Sequence, residues 1–288
     1  HMAKLINYAL KDLMLQYENI LVFGEDVAQK GGVYNVTADL YKQFSIRRVF
    51  NSPLDETSIL GFAAGLAHNG FLPIPEIQFL AYFHNAEDQL RGEAATLSFF
   101  SQGQYLNPMV IRIAGLAYQR GFGGHFHNDN SLTIFRDIPG LILACPSNGS
   151  DAVKMLRTAT KEAHDKGRIV VFIEPIALYM VKDLHNPRDN KWSSTYPEMD
   201  EELKVGEFIT YGKGKALTII SYGNGLYHSL KAQPEIEKKI NRKIKIIDIC
   251  WLSDIDVDGL LKEIGKCKKV LIVDECRRSG CHGEGLMA

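Results

Sequence analysis

The sequence predicts a two-domain α/β protein built on parallel sheets. Apolar segments of strand length alternate with segments of helical periodicity along most of the 288 residues. Strands separated by helices of this length form parallel βαβ units. Apolar residues make up 45% of the chain and charged residues 23%, as in soluble globular proteins. The chain is long enough for two domains of ordinary size.

Residues 3–181 contain the first alternation and predict the larger domain. The predicted strands are 20–23, 72–77, 109–113, 141–145 and 169–173. The predicted helices are 3–17, 57–68, 79–100 and 150–164. Each apolar run is only a few residues long, and the runs are rich in Ile, Val and Leu, which favours buried strands of a parallel sheet.

Residues 182–214 interrupt this pattern and predict a linker. They are polar and contain prolines and an acidic run. A second alternation over residues 215–288 predicts a smaller α/β domain with strands at 217–222, 244–249 and 270–274. Because three strands make a thin sheet, we expect this second domain to be incomplete.

Charge and cysteine content exclude several function classes. A net charge of -1 gives no reason to expect nucleic acid or an anionic membrane as partner. No apolar run approaches the roughly 20 residues of a membrane-spanning helix. The five cysteines are odd in number and irregular in spacing, which predicts reduced thiols. Cys276, Cys281 and His282 could form a metal site, but without a Cys-x-x-Cys pair a loop with incidental cysteines is favoured.

The segment 51–56, Asn-Ser-Pro-Leu-Asp-Glu, lies between a short strand and a predicted helix. Pro53 stiffens the turn. Asp55 or Glu56 then comes at the helix start, where exposed backbone amides favour carboxylates. Taken alone, the segment is more typical of a helix cap than of a catalytic site.

Polar residues also follow a second predicted strand. Glu76 and Gln78 lie at the end of the strand 72–77, within an otherwise apolar stretch. Ligands of open α/β sheets bind at the carboxyl ends of strands, so these side chains are candidate ligand contacts. A polar turn with internal hydrogen bonds explains them equally well.

A long glycine-rich segment, 115–130, contains His125 and His127. Long loops in compact domains are often functional, and glycines allow close approach to a ligand. The two histidines could carry protons or bind a metal. Because no third ligand has a convincing spacing, a metal site is not favoured.

The order of these motifs resembles a known family more closely than any motif alone. The motifs are Gly-Glu-Asp-Val at 24–27, Gly-Gly-Val-Tyr at 31–34, Ser-Pro-Leu-Asp-Glu at 52–56, Glu-Ile-Gln-Phe at 76–79 and Asp-Gln at 88–89. In this order they resemble the beta subunit, or the C-terminal half of a fused chain, of the thiamin-diphosphate-dependent 2-oxoacid dehydrogenases of the pyruvate and branched-chain type.

The resemblance implies a fold and an activity. The fold is a parallel-sheet pyrimidine-binding domain of transketolase-like type, followed by a smaller α/β C-terminal domain. The activity is decarboxylation of a 2-oxoacid on thiamin diphosphate and transfer of the acyl group to lipoyl. The family's activating glutamate corresponds to Glu56, whose carboxyl would bind a nitrogen of the aminopyrimidine ring.

Further site residues follow from the same resemblance. Gln78 and Tyr82, together with Glu76, would line the pyrimidine pocket. Ala81 stands where the family has an aspartate. His127, with His125 as the second choice, would position the substrate carboxylate and assist acyl transfer.

The resemblance also implies partners. The sequence contains no Gly-Asp-Gly motif, so an alpha-type subunit or domain would hold the diphosphate and magnesium. A lipoyl acyltransferase core and homo-association are expected, in the cytoplasm or, for a eukaryotic source, the mitochondrial matrix. A structural potassium ion is not predicted, because the segment 159–164 has altered ligand types.

Two alternatives remain at this point. The chain could be another transketolase-like thiamin enzyme, or a mainly docking subunit of the multienzyme complex. The Glu-Ile-Gln-Phe and Glu-Asp-Val motifs favour the dehydrogenase.

Overall fold

Six parallel strands form the sheet of the first domain. The computed structural model describes residues 1–116, 124–265, 267 and 269–288, without the side chains of residues 125 and 126. The strand order is β2-β1-β3-β4-β6-β5. The strands are β1 (Ile20–Gly24), β2 (Val49–Asn51), β3 (Leu72–Ile77), β4 (Met109–Gly115), β5 (Leu141–Ala144) and β6 (Ile169–Pro175). Because both faces of the sheet are covered, these sequences are almost continuously apolar.

Helices cover the two faces of this sheet. They are α1 (Met2–Gln16), α2 (Leu40–Phe44), α3 (Glu56–His68), α4 (Ala95–Phe100), α5 (Gly124–His127), α6 (Thr133–Arg136) and α7 (Gly149–Lys166). One apolar cluster contains residues of α1 and α7, and the other contains residues of α3. The side chain of Asn148 caps α7 by accepting a hydrogen bond from Asp151 N at 3.1 Å.

The prediction of a single long helix over residues 79–100 is wrong. The segment consists of a 3-10 helix (Leu80–Asn85), a π-helical segment (Gln89–Ala94) and α4. Gly92 lies inside the π-helical segment, and a glycine in a helix interior weakens it. The break leaves the 3-10 helix free to lie beside the first turn of α3.

A four-stranded sheet forms the second domain, in the order β10-β8-β9-β7. Its strands are β7 (Ile209–Tyr211), β8 (Thr218–Ser221), β9 (Lys245–Asp248) and β10 (Val270–Ile272), and its helices are α8 (Gly223–Ile240), α9 (Val257–Ile264) and α10 (His282–Met287). β7 pairs antiparallel with β9, whereas the other pairs are parallel. β7 lies inside the predicted linker and was not foreseen.

Main-chain hydrogen bonds join the two domains. Cys145 N donates to Cys250 O at 2.8 Å and Leu252 N donates to Leu143 O at 2.7 Å, around an antiparallel bridge between Ala144 and Trp251. The end of β5 is therefore attached to the segment that follows β9. No helix in the described part of the chain combines the length and apolarity needed to cross a membrane.

Candidate active site

Glu56 is buried at the start of α3. It is the first residue of the helix and is 4% exposed. Asp55 takes the N-cap position and is exposed, although its side chain caps no backbone amide. The cap position predicted for this segment thus belongs to Asp55, and the carboxyl of Glu56 is left for another role.

Glu25 lies next to this carboxyl because of the path that the chain takes after β1. Gly24 ends β1 with a φ of +151°, and a Cβ on it would lie 2.6 Å from the carbonyl oxygen of Glu76. Only glycine fits such a close approach to β3. Ser52 N donates to Gly24 O at 2.9 Å, which attaches the segment before α3 to the same point.

Glu25 and Glu56 form a buried carboxyl pair. Burial, followed by the charge of Glu56 and a hydrogen bond with it, raises the pKa of Glu25 to about 7. Glu25 Oε1 is buried, and no N–H or hydroxyl group in the described residues donates to it. Two neighbouring carboxyls resist joint ionisation. The Glu25 carboxyl beside Glu56 therefore holds its proton more tightly than an exposed glutamate does.

Residues from the 3-10 helix surround the pair. Asn85 Nδ2 donates to Glu56 Oε2 at 3.4 Å. Burial, with the charges of Glu25 and Glu56, raises the pKa of the Tyr82 hydroxyl, so Tyr82 lies close to the pair. The Tyr82 ring packs edge-on against Phe79, with ring centroids 5.7 Å apart. The pair thus has polar and aromatic neighbours on one side.

Glu76 takes part in a buried ion-pair network. Its Oε2 lies 2.7 Å from Nη1 of Arg112, whose Nε lies 2.6 Å from Glu174 Oε1. The Tyr179 hydroxyl donates to Glu174 as well. Burial raises the pKa of Glu76, and the Arg112 charge only partly opposes this effect. Since Glu76 is bonded inside the protein, its contact with a cofactor stays a prediction.

Gln78 and His127 complete the set of candidate residues that the structure describes. Gln78 Nε2 is buried and has no hydrogen-bond partner in the described residues. The His127 ring lies edge-on to Phe79 at 4.9 Å and to Tyr82 at 5.6 Å. His127 therefore lies in the aromatic cluster beside the carboxyl pair.

Part of the predicted functional loop lies outside the described residues. These are residues 117–123 and the side chain of His125, which is the second choice for the histidine predicted to position the substrate carboxylate. Within the described ranges, no group of three or more His, Cys, Asp or Glu residues could hold a metal ion.

Four residues of this region were not predicted from the sequence to be site residues: Glu25, Asn85, Arg112 and Glu174. Glu25 follows an apolar strand directly, which is the signal used for Glu76. Arg112 and Glu174 each interrupt or end an apolar strand, and charges in such positions require a partner. No sequence pattern marks Asn85, because its contact with Glu56 depends on the division of the predicted long helix into shorter segments.

Comparison with known proteins identifies the family. Residues 1–181 match the transketolase pyrimidine binding domain, and residues 206–288 match the transketolase C-terminal domain. The pyruvate dehydrogenase E1 component subunit beta of Staphylococcus epidermidis is 35% identical over 292 residues, covering 100% of this chain and 83% of the relative. The chain belongs to the family of pyruvate dehydrogenase E1 beta subunits. The Bacillus subtilis E1 beta subunit is 32% identical over 282 residues, covering 96% of this chain and 80% of the relative.

Solved structures support the same fold for this E1 beta family member. A structure described as a split gene transketolase, inactive beta4 tetramer, superposes with a TM-score of 0.74 at 19% identity, covering 98% of this chain and 82% of the other. A Pichia stipitis transketolase mutant superposes with a TM-score of 0.68 at 12% identity, covering 96% of this chain and 39% of the other. The family recognition, the α/β fold class and the assignment as the beta-type chain of a 2-oxoacid dehydrogenase are confirmed.

Proposed function

We propose that this chain decarboxylates a 2-oxoacid on thiamin diphosphate as the beta-type half of a 2-oxoacid dehydrogenase. The observation that carries the proposal is the buried carboxyl pair, Glu25 and Glu56, at the carboxyl edge of the first sheet. A carboxyl pair that keeps a proton near neutral pH is suited to general acid–base work. Ligands bind at this edge in open α/β sheets.

The residues around the pair fit the aminopyrimidine end of the cofactor. Gln78 Nε2 is a buried donor without a partner in the described residues, and Glu25 Oε1 lacks an N–H or hydroxyl donor there. A ring that carries both hydrogen-bond donors and hydrogen-bond acceptors can pair with this amide donor and this carboxyl oxygen. Glu56, Gln78 and Tyr82 would hold this ring, with Glu76 as a further predicted contact. When bound, thiamin diphosphate supplies the nucleophilic carbon and the electron sink for decarboxylation.

The carboxyl pair would control a proton at this site. Glu56 would accept a hydrogen bond from the ring or donate its proton to a ring nitrogen, and Glu25 would stabilise either state by sharing that proton. Both carboxyls are buried, so the proton would move between defined atoms of the pair and the ring instead of being lost to solvent.

The proposal includes partners. An alpha-type subunit or domain would hold the diphosphate and magnesium, because this sequence has no Gly-Asp-Gly motif. Activity would therefore depend on assembly with that partner. The acyl group would pass to the lipoyl group of an acyltransferase core.

Co-expression with an alpha-type partner chain tests this function. We expect the complex, supplied with thiamin diphosphate and Mg²⁺, to reduce an artificial electron acceptor with pyruvate, a branched-chain 2-oxoacid or 2-oxoglutarate, and either chain alone to be inactive. The three substrates are compared by kcat/KM. A complex that binds the cofactor but turns over none of them, or that transfers ketol groups between sugar phosphates, would contradict the proposal.

The two candidate histidines make separate predictions. We expect His127→Ala to lower acyl transfer to a lipoyl domain by about 10²-fold, because a positioned acid–base group typically contributes at least this much. His125→Ala should have the smaller effect. Decarboxylation measured with an artificial acceptor is compared with lipoyl transfer for each variant. If His127→Ala leaves both rates intact, the assignment moves to His125.

A further inference from the structure

One face of the 3-10 helix Leu80–Asn85 is directed at the carboxyl pair. Side chains three residues apart eclipse in a 3-10 helix, so Tyr82 and Asn85 share a face. Tyr82 lies within electrostatic range of both carboxyls, and Asn85 donates to Glu56 Oε2 at 3.4 Å. Asn85 is therefore the polar residue of a face that otherwise presents an aromatic ring.

Asn85 makes a second contact with the first turn of α3. Its carbonyl oxygen accepts a hydrogen bond from Thr57 Oγ1 at 2.5 Å. The backbone of Asn85 is thus held by the residue next to Glu56, while its side chain reaches Glu56 itself. Two contacts from one residue restrict both the position of the 3-10 helix and the rotation of the Glu56 carboxyl.

The chemistry of the amide suits this position. An asparagine donor occupies a lone pair of a carboxyl oxygen without bringing a positive charge, whereas a guanidinium would form an ion pair with the carboxylate, as Arg112 does with Glu76. The remaining lone pairs of Glu56 stay available to Glu25 and to a ligand. A neutral amide can therefore orient the carboxyl without adding a charge beside Glu25.

We infer that Asn85 is a positioning residue, whose side-chain amide holds the Glu56 carboxyl in the orientation in which it meets Glu25 and the pyrimidine ring. The inference rests on the proposed function for the ring contact. The hydrogen bond between Asn85 and Glu56, by contrast, lies within this chain and can be tested without cofactor.

A matched control residue lies at the other end of α3. Asn69 is exposed, occupies the C-cap of the same helix, and donates from Nδ2 to Gly65 O at 2.7 Å. Substitutions of Asn69 alter the same residue type at the far end of the helix that carries Glu56, at a distance from the carboxyl pair. An effect that is seen at Asn85 and not at Asn69 therefore reports the contact with Glu56 and not a general disturbance of α3.

The kinetic test compares Asn85→Ala, Asn85→Asp and Asn85→Gln with Asn69→Ala and Asn69→Asp in the assembled complex. We expect Asn85→Ala to lower kcat about 10-fold, the size expected for one hydrogen bond to a charged group, with little change in substrate KM. Asn85→Asp should lower kcat more at neutral pH and recover at acidic pH, where the new carboxyl is protonated and can donate. Asn85→Gln should restore part of the activity.

A titration of the cofactor-free complex gives a readout independent of turnover. Carbon NMR of the glutamate carboxyls follows Glu25, whose pKa in the unsubstituted protein is about 7. Asn85→Asp adds a like charge beside the pair and should raise the pKa of Glu25, whereas Asn69→Asp should leave it unchanged. Equal behaviour of the Asn85 and Asn69 variants in kinetics and titration would overturn the inference. An active Glu56→Gln enzyme would instead overturn the proposed function.

Discussion

Replacing Glu56 with glutamine is expected to lower decarboxylation by about 10³-fold, within the range for loss of a positioned acid–base group. Glutamine keeps the size of the side chain but cannot share a proton with Glu25 or give one to a ring nitrogen. Glu56→Ala should abolish activity in the same way. The measurement is kcat with each 2-oxoacid in the assembled complex.

The fold should survive this change. Glu56 and Glu25 are neighbouring buried carboxyls, so replacing Glu56 with an amide removes the repulsion that opposes ionisation of Glu25. The pKa of Glu25 should then fall from about 7 towards its ordinary value. Asp55→Asn is the matched control, because it alters the adjacent, exposed acidic residue at the same helix start. Full activity of a correctly assembled Glu56→Gln enzyme would contradict the proposal that Glu56 is the acid–base residue.

The second large effect concerns stability. Arg112→Met is expected to lower the free energy of unfolding by about 3–5 kcal/mol, the usual loss when one member of a buried ion pair is removed. Arg112 is 1% exposed and bonds to Glu76 and Glu174, so its loss leaves two buried carboxylates without their counter-charge. Urea unfolding, monitored by circular dichroism, measures the change.

The loss in Arg112→Met should depend on pH. The pKa of Glu76 is already raised by burial, and without the guanidinium it should rise further. A carboxyl whose pKa is higher in the folded protein binds its proton more tightly there, so its destabilising effect is absent below the unfolded pKa and grows as pH rises towards the folded pKa. The variant should therefore be closest to the unsubstituted protein near pH 5 and furthest from it near pH 8.

Arg157→Met is the control for this behaviour. Arg157 is also buried, but its guanidinium donates to the backbone carbonyls of Pro197, Glu198 and Glu201. Replacing Arg157 removes these hydrogen bonds but leaves no buried carboxylate without a counter-charge. The decrease in the free energy of unfolding of Arg157→Met should therefore vary little with pH. A loss in Arg112→Met that is equally independent of pH would contradict the account of the network.

Local sequence patterns were sufficient to predict most strands of the first domain. The strands of the six-stranded sheet are apolar runs bounded by polar segments, and their positions in the structure agree with the prediction within a few residues. Glu56 was predicted as the activating residue through the order of motifs, because a carboxyl at a helix start is by itself typical of a cap. Its burial, and the exposure of Asp55, depend on tertiary packing that no local pattern contains.

Non-local features escaped the sequence analysis. The segment 79–100 has helical periodicity, but periodicity does not distinguish one α-helix from a 3-10 turn followed by a π-helical segment. The antiparallel strand β7 is three residues long and only partly apolar, so it has no strand signal of its own. The pairing of Glu25 with Glu56 depends on Gly24, whose close approach to β3 appears only when the strands are assembled.

The buried network beneath the site has an electrostatic consequence for assembly. Glu25, Glu56, Glu76 and Glu174 are four buried acids within one region, and among the described residues Arg112 is the buried cation that contacts them. A region of this composition carries a negative potential when the acids ionise, and such a potential repels anions. Both a diphosphate and a 2-oxoacid are anions. If the proposed alpha-type partner holds these anions, its surface facing this region would have to supply the positive charge, and the two chains would then differ in charge as well as in chemistry.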